Sequence, residues 1–249
     1  MFDHVALRVS ALEEARRFYR SGLATLGFGE PVGDGRFFEW QDLSVAQASD
    51  DRPVTRHLHV GLVAPTHEHV DAFWGTLTEQ GFRDDGAPGL REKYSTGYYG
   101  AFVLDPDGNS IEAVYKETPR SDGGCIDHVW LRVRSVAAST RFYATIAPVL
   151  GFRFHAERPG RAHFAARAGG FTVTSPDEGW SVERPVTENA HLAFPSRDRS
   201  TVDEFHQVAL AAGYRDEGPA GERRYHRGYY AAYLLDPDGN KVEAVFHGS

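Results

Sequence analysis

The sequence has a single cysteine, Cys125, in 249 residues. One cysteine excludes an intrachain disulfide framework and a thiolate-rich zinc site, so any metal must be bound by histidine and carboxylate side chains. The chain also lacks an excess of basic residues, because 27 Lys and Arg stand against 35 Asp and Glu and the formal net charge is −8. Nucleic acid and anionic membrane are therefore not expected as partners.

Long apolar runs and a targeting segment are also missing. No stretch approaches the roughly 18 apolar residues of a membrane span. The opening residues MFDHVALRVS show neither a basic region followed by an apolar run nor a cleavage site, which predicts a cytoplasmic protein. The chain does have 41% hydrophobic and 25% charged residues, a composition typical of a soluble protein with a core.

The chain repeats whole segments of its own sequence. DHVALRVSALEEARRFY from Asp3 returns as DHVWLRVRSVAASTRFY from Asp127, and GYYGAFVLDPDGNSIEAV from Gly97 returns as GYYAAYLLDPDGNKVEAV from Gly228. Such repetition predicts two homologous halves. The expected division is a domain at 1–118, a polar, Pro- and Gly-containing linker at 119–124, and a second domain at 125–249.

Each half contains the same succession of strand and helix patterns. Residues 2–9 alternate between apolar and polar side chains, which predicts a strand with one buried face. An apolar stripe at helical spacing follows and ends at Gly27, a residue type common just after a helix. After a hairpin at 35–48, the pattern restarts with a strand at 57–63 and a helix that carries Val70 and Leu77. The expected fold class is α+β, with four βαβββ units in two domains.

The histidine side chains fall on the strand faces opposite the apolar residues, and Glu112 shares a face with Val114. Two histidines and one carboxylate that converge inside a curved sheet are a recognised ligand set for a divalent metal with open positions for substrate. His57 shares a strand face with His59, but alignment of the two halves favours His59. A structural role stays open, because a duplicated gene repeats a structural histidine as readily as a ligand. The candidate trios are His4, His59 and Glu112 in the first half and His128, His191 and Glu243 in the second.

The combination of an opening histidine strand (DHVALRVSALEEARRFY), a second histidine strand (HLAF) and a closing LDPDGNSIEAV or LDPDGNKVEAV resembles the vicinal oxygen chelate superfamily. This superfamily includes glyoxalase I, bleomycin-resistance proteins and type I extradiol dioxygenases. The resemblance implies glyoxalase-like open-barrel domains built from paired βαβββ units. It also implies that the trios named above bind Fe²⁺, Mn²⁺, Zn²⁺ or Ni²⁺. Whether units pair within a half or exchange between halves stays open, and an exchange would mix the ligands of the two trios.

Two departures from the superfamily pattern narrow the possible reactions. Glyoxalase I members usually add a carboxylate from the fourth strand, where this sequence has only Gln47 or a hydroxyl. Extradiol dioxygenases usually place a tyrosine ten residues before the glutamate, a position held by Tyr233 in the second half and Phe102 in the first. They also usually supply a histidine shortly before the fifth strand, and 171–190 contains none.

Aromatic and basic residues crowd the stretch before the seventh strand of each half. Phenols and guanidinium groups there can line a pocket mouth for an anionic or aromatic ligand, although GYY equally suits a turn packed on the sheet. His226 corresponds to Ser95, and this difference favours the C-terminal half for chemistry, with His226 or Tyr233 as proton donor or orienting group. The expected pocket residues are Tyr94, Tyr98, Tyr225 and Tyr229.

The leading functional hypothesis is a cytoplasmic metalloenzyme, a lyase or an extradiol-type dioxygenase, that chelates vicinal oxygens of a small substrate on a divalent ion. The rival is a metal-free binding or resistance protein that stacks an aromatic or cationic small molecule on its tyrosines and tryptophans. A third possibility is that the first half has lost activity and only completes the fold. A monomer or homodimer is expected.

Overall fold

The structure, a computed structural model, describes residues 1–118, 123–166, 169–177 and 184–248. Most of the predicted linker, at 119–122, lies outside the described residues. None of the four helices in the described part combines the length and apolar character that a membrane crossing requires.

The chain forms four successive βαβββ modules, which confirms the predicted α+β class. Module 1 consists of β1 (His4–Val9), α1 (Leu12–Thr25), β2 (Val32–Gly33), β3 (Phe37–Trp40) and β4 (Leu43–Gln47). Module 2 consists of β5 (His59–Val63), α2 (His67–Glu79), β6 (Arg83–Leu90), β7 (Tyr99–Leu104) and β8 (Ser110–Tyr115). Module 3 consists of β9 (Ile126–Arg132), α3 (Val136–Leu150), β10 (Arg153–Arg158), β11 (Arg161–Ala165) and β12 (Gly170–Thr174). Module 4 consists of β13 (His191–Pro195), α4 (Arg199–Ala211), β14 (Arg215–Glu222), β15 (Tyr229–Leu235) and β16 (Lys241–His247).

The chain packs as two compact units whose borders fall inside β1 and β9. Unit I contains Met1–Ala6 and Leu131–Ser249, and unit II contains Leu7–Trp130. Within unit I, five strands are hydrogen-bonded in the order β14-β15-β16-β13-β1, with β13 and β16 parallel. Within unit II, the corresponding order is β6-β7-β8-β5-β9, with β5 and β8 parallel. The first strand of each half thus lies beside the fifth-strand histidine of its own unit.

The predicted alternation decides which side chains enter the core. Val5, Leu7 and Val9 of β1 are fully buried, whereas His4 on the opposite face stays partly exposed. The fifth strand begins at His59 and not at residue 57, because His57 adopts a left-handed φ of 59°. His57 therefore lies outside β5 and does not share a strand face with His59.

The Asp-Pro-Asp-Gly-Asn turn between β7 and β8 also fixes the start of β5. Asn109 is fully buried, accepts a hydrogen bond from the Leu58 amide at 3.0 Å and donates one to the Thr55 carbonyl at 3.0 Å. In unit I, Asn240 accepts a hydrogen bond from the Ala190 amide at 3.0 Å in the same way. Each turn therefore holds the strand of its glutamate in register with the strand of its histidine.

Candidate metal centres

The six predicted ligands come together in two groups of three, but the grouping expected within each half is wrong. Centre I consists of His4, His191 and Glu243, and centre II consists of His59, Glu112 and His128. The physical reason is strand pairing. The β1 strand pairs with β13 and the β9 strand pairs with β5, so the opening histidine of each half joins the two later ligands of the other half.

Strand register places all three ligands of a centre on one face. In unit II, Gly61 lies opposite His128 on one neighbouring strand and opposite Glu112 on the other. His59 precedes Gly61 by two residues and therefore shares its face. In unit I, Ala193 takes the place of Gly61, between His4 and Glu243.

Centre II is a compact triangle of donor atoms. The Nε2 atom of His59 lies 3.1 Å from Oε2 of Glu112 and 3.2 Å from Nε2 of His128, and the latter two atoms are 3.3 Å apart. Ligands about 2.1 Å from a shared ion lie about 3.0 Å apart at octahedral angles and about 3.4 Å apart at tetrahedral angles. The triangle matches this spacing without rearrangement.

Hydrogen bonds to the outer ring nitrogens aim both imidazole lone pairs of centre II at this triangle. Ser110 donates its hydroxyl proton to Asp85 at 2.7 Å, so it accepts the proton on Nδ1 of His59 at 3.2 Å. The carboxylate of Asp127 accepts the proton on Nδ1 of His128 at 2.8 Å. Partners of this kind fix the tautomer and the ring orientation of metal-binding histidines. Lys116 pairs with the same Oδ1 oxygen of Asp127.

The electrostatics of centre II keep its carboxylate ionised. Burial raises the pKa of Glu112, but hydrogen bonds and charge from His128 and His59 outweigh it and lower that pKa to about 2. Burial lowers the pKa of His128, yet Asp127 and Glu112 raise it to about 9. Without a metal, centre II therefore carries a carboxylate and one extra proton on its histidines at neutral pH.

Centre I has the same residue types in a looser arrangement. Nε2 of His191 lies 2.8 Å from Oε2 of Glu243, whereas Nε2 of His4 lies 3.6 Å from that oxygen. Nδ1 of His4 donates to Asp3 at 2.8 Å. Burial lowers the pKa of His191, so this ring is neutral at neutral pH. The side chains of His4 and His191 are 20% and 16% exposed, against 6% for His59.

Two of the four expected pocket tyrosines form hydrogen bonds with the glutamates of the two centres. Tyr98 and Tyr229 are buried, and their hydroxyls donate to Oε1 of Glu112 at 2.7 Å and to Oε1 of Glu243 at 2.6 Å. Burial raises the pKa of Tyr98 well above its usual value, so the hydroxyl stays protonated and able to donate. This role could not be predicted from the sequence, because the strand pattern sets the face of a tyrosine and not its partner.

The other two pocket tyrosines lie next to these buried ones. The exposed Tyr225 has its ring 4.9 Å from that of Tyr229. In unit II, the ring of Tyr94 lies 5.2 Å from that of Tyr98 and 6.1 Å from that of Trp130. Tyr225 and Tyr94 remain predicted contacts for a bound small molecule.

The two catalytic candidates occupy different places in unit I. Tyr233 lies directly across the strand pair from Glu243, and its ring is 6.3 Å from that of His191. His226 bonds Nδ1 of His247 at 2.9 Å, and His247 bonds Asp3 at 2.9 Å. His226 is thus linked to the ligand His4 through two intervening side chains.

Sequence reasoning missed the residues that support the ligands. Asp3 and Asp127 precede the opening histidines, and the repeated Asp-His dipeptide was the available signal. Gln47, considered as a fourth-strand ligand, instead binds backbone at the start of α1, accepting from the Leu12 amide at 3.2 Å and donating to the Val9 carbonyl at 3.1 Å.

Paired βαβββ modules with two-histidine, one-glutamate centres define the class of protein. The chain belongs to the glyoxalase/bleomycin resistance protein/dioxygenase superfamily, whose family model matches residues 1–113 and 125–244. No curated protein matches the chain at a significant level.

Two solved structures share this fold over nearly the whole chain. Glyoxalase I from Zea mays is 17% identical, with 99% of this chain and 92% of that chain covered and a TM-score of 0.68. A Bacillus subtilis protein that carries a dioxygenase assignment is 13% identical, with 100% and 85% covered and a TM-score of 0.66. A glyoxalase/bleomycin resistance protein from Albidiferax ferrireducens is 30% identical over 49% of this chain and 98% of its own, with a TM-score of 0.41.

Proposed function

We propose that the protein is a divalent-metal-dependent enzyme of the lyase or extradiol-dioxygenase type that acts on a small molecule with two neighbouring oxygen atoms. One observation carries the proposal. In centre II, three lone-pair donors from His59, His128 and Glu112 converge at 3.1 to 3.3 Å, while both Nδ1 protons are engaged elsewhere. Donors held this close are stabilised by a metal ion or a proton between them.

The residues fit a divalent ion in number and kind. Two imidazole nitrogens and one carboxylate oxygen suit Fe²⁺, Mn²⁺, Zn²⁺ or Ni²⁺, and three protein ligands leave positions for two substrate oxygens. When bound, such an ion supplies Lewis-acid stabilisation of negative charge on those oxygens.

The remaining side chains of centre II position its ligands. Tyr98 holds one oxygen of Glu112 and leaves the other directed at the histidines. Phe102 lies across the strand pair from Glu112, with its ring 5.8 Å from that of His59. An apolar ring there excludes water from one side of the centre and strengthens its electrostatic interactions.

At centre I, the proposed roles of Tyr233 and His226 differ. The phenol of Tyr233 is the proposed proton donor or orienting group for a substrate, which its place opposite Glu243 supports. His226 orders His247 and Asp3 in this proposal, since those side chains separate it from His4. A cytoplasmic monomer or homodimer belongs to the same proposal.

Metal content of protein purified without a metal-affinity tag tests the function directly. After dialysis against metal-free buffer and incubation with each of the four ions, we expect the wild type and Glu79→Gln to retain metal. Glu112→Gln should retain less, because a neutral amide replaces the buried carboxylate of centre II. The exposed Glu79 at the end of α2 makes Glu79→Gln a matched control.

Protein that retains none of the four ions, and whose thermal stability none of them changes, would contradict the proposal. Saturable binding of aromatic small molecules by that metal-free protein would then support the rival function, a metal-free binding or resistance protein. If metal is retained, turnover on a panel of catechols and 2-oxo-aldehydes separates the dioxygenase and lyase reactions.

A further inference from the structure

The two centres differ at the residues that surround their ligands. The internal repeat aligns Gly61 with Ala193, Gly100 with Ala231 and Ser110 with Lys241. In each pair the residue of unit II is the smaller one, and all six positions lie in strands. Gly61, Ser110, Ala193 and Lys241 each lie two residues from a candidate ligand. These differences bear on which centre holds an ion.

Gly61 creates the space that the ring of His128 occupies. A Cβ atom at position 61 would lie 2.3 Å from Cε1 and 2.5 Å from Nδ1 of His128. Any larger residue would therefore displace this ring. At centre I the corresponding position is Ala193, which carries that methyl group, and Nε2 of His4 lies 3.6 Å from the Glu243 oxygen.

Gly100 plays a similar part beside the glutamate. A Cβ atom at position 100 would lie 2.5 Å from Oε1 of Glu112, the oxygen that Tyr98 binds. At centre I, the methyl group of Ala231 packs in a buried cluster with Ala193 and Tyr229. The side chains of centre I therefore adjust to two methyl groups that centre II lacks.

Ser110 and Lys241 differ in the hydrogen bonds that they can form with the fifth-strand histidines. The Ser110 hydroxyl accepts from Nδ1 of His59 and so leaves a lone pair on Nε2. The ammonium group of Lys241 has only donors and cannot accept a proton from His191. Nε2 of His191 instead lies 2.8 Å from Glu243, the distance of a direct hydrogen bond.

Lys241 also adds a positive charge that acts on His191. Its ammonium group pairs with Glu217 at 3.4 Å. A nearby ammonium group repels a cation, and the effect is larger in a partly buried site than in water. Lys116 pairs with Asp127 beside centre II, so charge alone does not separate the two centres. Steric crowding and tautomer both disfavour an ion at centre I.

Resting on the proposed function, we propose that centre II is the high-affinity metal site and centre I a weak one, with Gly61 and Ser110 as the positioning residues that set the difference. Loss of a supporting hydrogen bond to a ligand typically costs 10- to 100-fold in metal affinity. We therefore expect one tightly held ion per chain and a second site weaker by about 100-fold or more.

Stoichiometry and two matched variants test the assignment. Titration of the metal-free full chain with Co²⁺ should show one strong site in the wild type and in Glu243→Gln, and no strong site in Glu112→Gln. The visible absorption of bound Co²⁺ reports the ligand geometry independently of activity. A strong site that survives in Glu112→Gln and disappears in Glu243→Gln would overturn the assignment. Two sites of equal affinity would overturn it as well and leave the proposed function intact, whereas no binding at all would contradict the proposed function itself.

Two substitutions in unit II test the positioning residues. Ser110→Ala and Gly61→Ala should each weaken Co²⁺ binding by about 10- to 100-fold and change its absorption spectrum, while the exposed control Ser95→Ala should not. A cooperative urea-unfolding transition establishes that each metal-free variant is folded. A folded Ser110→Ala protein with wild-type affinity and spectrum would refute the role of Ser110.

A reciprocal variant covers the case in which Gly61→Ala fails to fold. Ala193→Gly combined with Lys241→Ser introduces the residues of centre II at centre I. We expect this double variant, in a Glu112→Gln background, to gain Co²⁺ affinity by about 10-fold or more over Glu112→Gln alone. Unchanged affinity in the folded double variant would show that these positions do not set the difference between the centres.

Discussion

The Nε2 atoms of His59 and His128 lie 3.2 Å apart, and the other nitrogen of each ring already donates a hydrogen bond. Two neutral imidazoles in this arrangement would direct lone pair against lone pair, beside the charged Glu112. A proton or a metal ion must therefore sit between them. Because a proton and a metal ion compete for this position, ion binding depends on pH.

Ion binding at centre II should strengthen as the pH rises. The pKa of His128 is about 9 without metal, so below that pH an ion must displace one proton. The apparent affinity should then rise about tenfold per pH unit up to about pH 9. Calorimetric titration with Zn²⁺ in buffers of different ionisation enthalpy should show one proton released per ion at pH 7.

The control for this prediction is His67→Gln, which removes a histidine of α2 that stacks on Tyr99 and touches no ligand in the described structure. This variant should release the same proton. An affinity that is independent of pH between 6.5 and 8.5 would contradict the protonated state of His128.

The free energy of unfolding of the metal-free protein should depend on pH through His128 and Glu112. The pKa of folded His128 is raised from 6.5 to about 9, so its stabilising charge is fully present below pH 6.5 and is lost as the pH rises through 9. The pKa of Glu112 is lowered from 4.5 to about 2, so its contribution is present above pH 4.5 and is lost as the pH falls through 2. Urea midpoints in the presence of a chelator should fall between pH 7 and 9.

His128→Gln should remove most of this decline, because no titrating ring is left at that position. The test compares the slopes of the free energy of unfolding against pH for the two metal-free proteins. Parallel slopes between pH 7 and 9 would assign the decline to other groups.

Tyr98→Phe should weaken both the fold and the metal site. The substitution removes the 2.7 Å hydrogen bond to Oε1 of Glu112 and leaves a buried carboxylate oxygen without that donor. We expect a loss of about 1–3 kcal/mol in the free energy of unfolding and about tenfold in ion affinity, measured by urea unfolding and calorimetry. Tyr99→Phe, which removes an exposed bond to Asp71, should change neither by a comparable amount. Equal effects of the two variants would mean that Tyr98 does not position the ligand.

The sequence predicted the candidate ligands better than their grouping. Alternation in short strands placed His4 and His59 on the face opposite the core, because side-chain direction depends only on neighbouring residues. The partner of each strand is different, since it depends on contacts between residues far apart in the chain. The two opening strands are nearly identical in sequence, and nothing in that pattern distinguishes pairing of His128 with His59 from pairing with His191.

The supporting residues Ser110 and Gly61 could not be predicted from the sequence for a related reason. A short motif shows that Ser110 follows the Asp-Pro-Asp-Gly-Asn turn, but its contact with His59 arises from the parallel pairing of β5 and β8. Gly61 is an ordinary strand residue in the sequence, and its importance appears only when the His128 ring is seen beside it. Pairwise contacts of this kind require the assembled sheet.

Tyr233→Phe tests whether a phenol takes part in chemistry at centre I. Tyr233 faces Glu243 in unit I, whereas Phe102 holds the matching place in unit II and has no proton to give. The measurement uses a Glu112→Gln background with metal in excess, so that any turnover of the catechol and 2-oxo-aldehyde panel comes from centre I. We expect Tyr233→Phe to lower that turnover by about 10²- to 10⁴-fold, the usual contribution of a general acid or base, with metal content unchanged.

Tyr230→Phe is the matched control, because its hydroxyl bonds Asp203 of α4 at 2.7 Å and not a ligand of either centre. It should leave turnover within about twofold of the background, as is usual for substitutions outside an active site. Equal turnover with and without the Tyr233 hydroxyl would remove this residue from the reaction. If Glu112→Gln alone abolishes all turnover at saturating metal, the chemistry belongs to centre II, and the second centre supports the fold without acting on substrate.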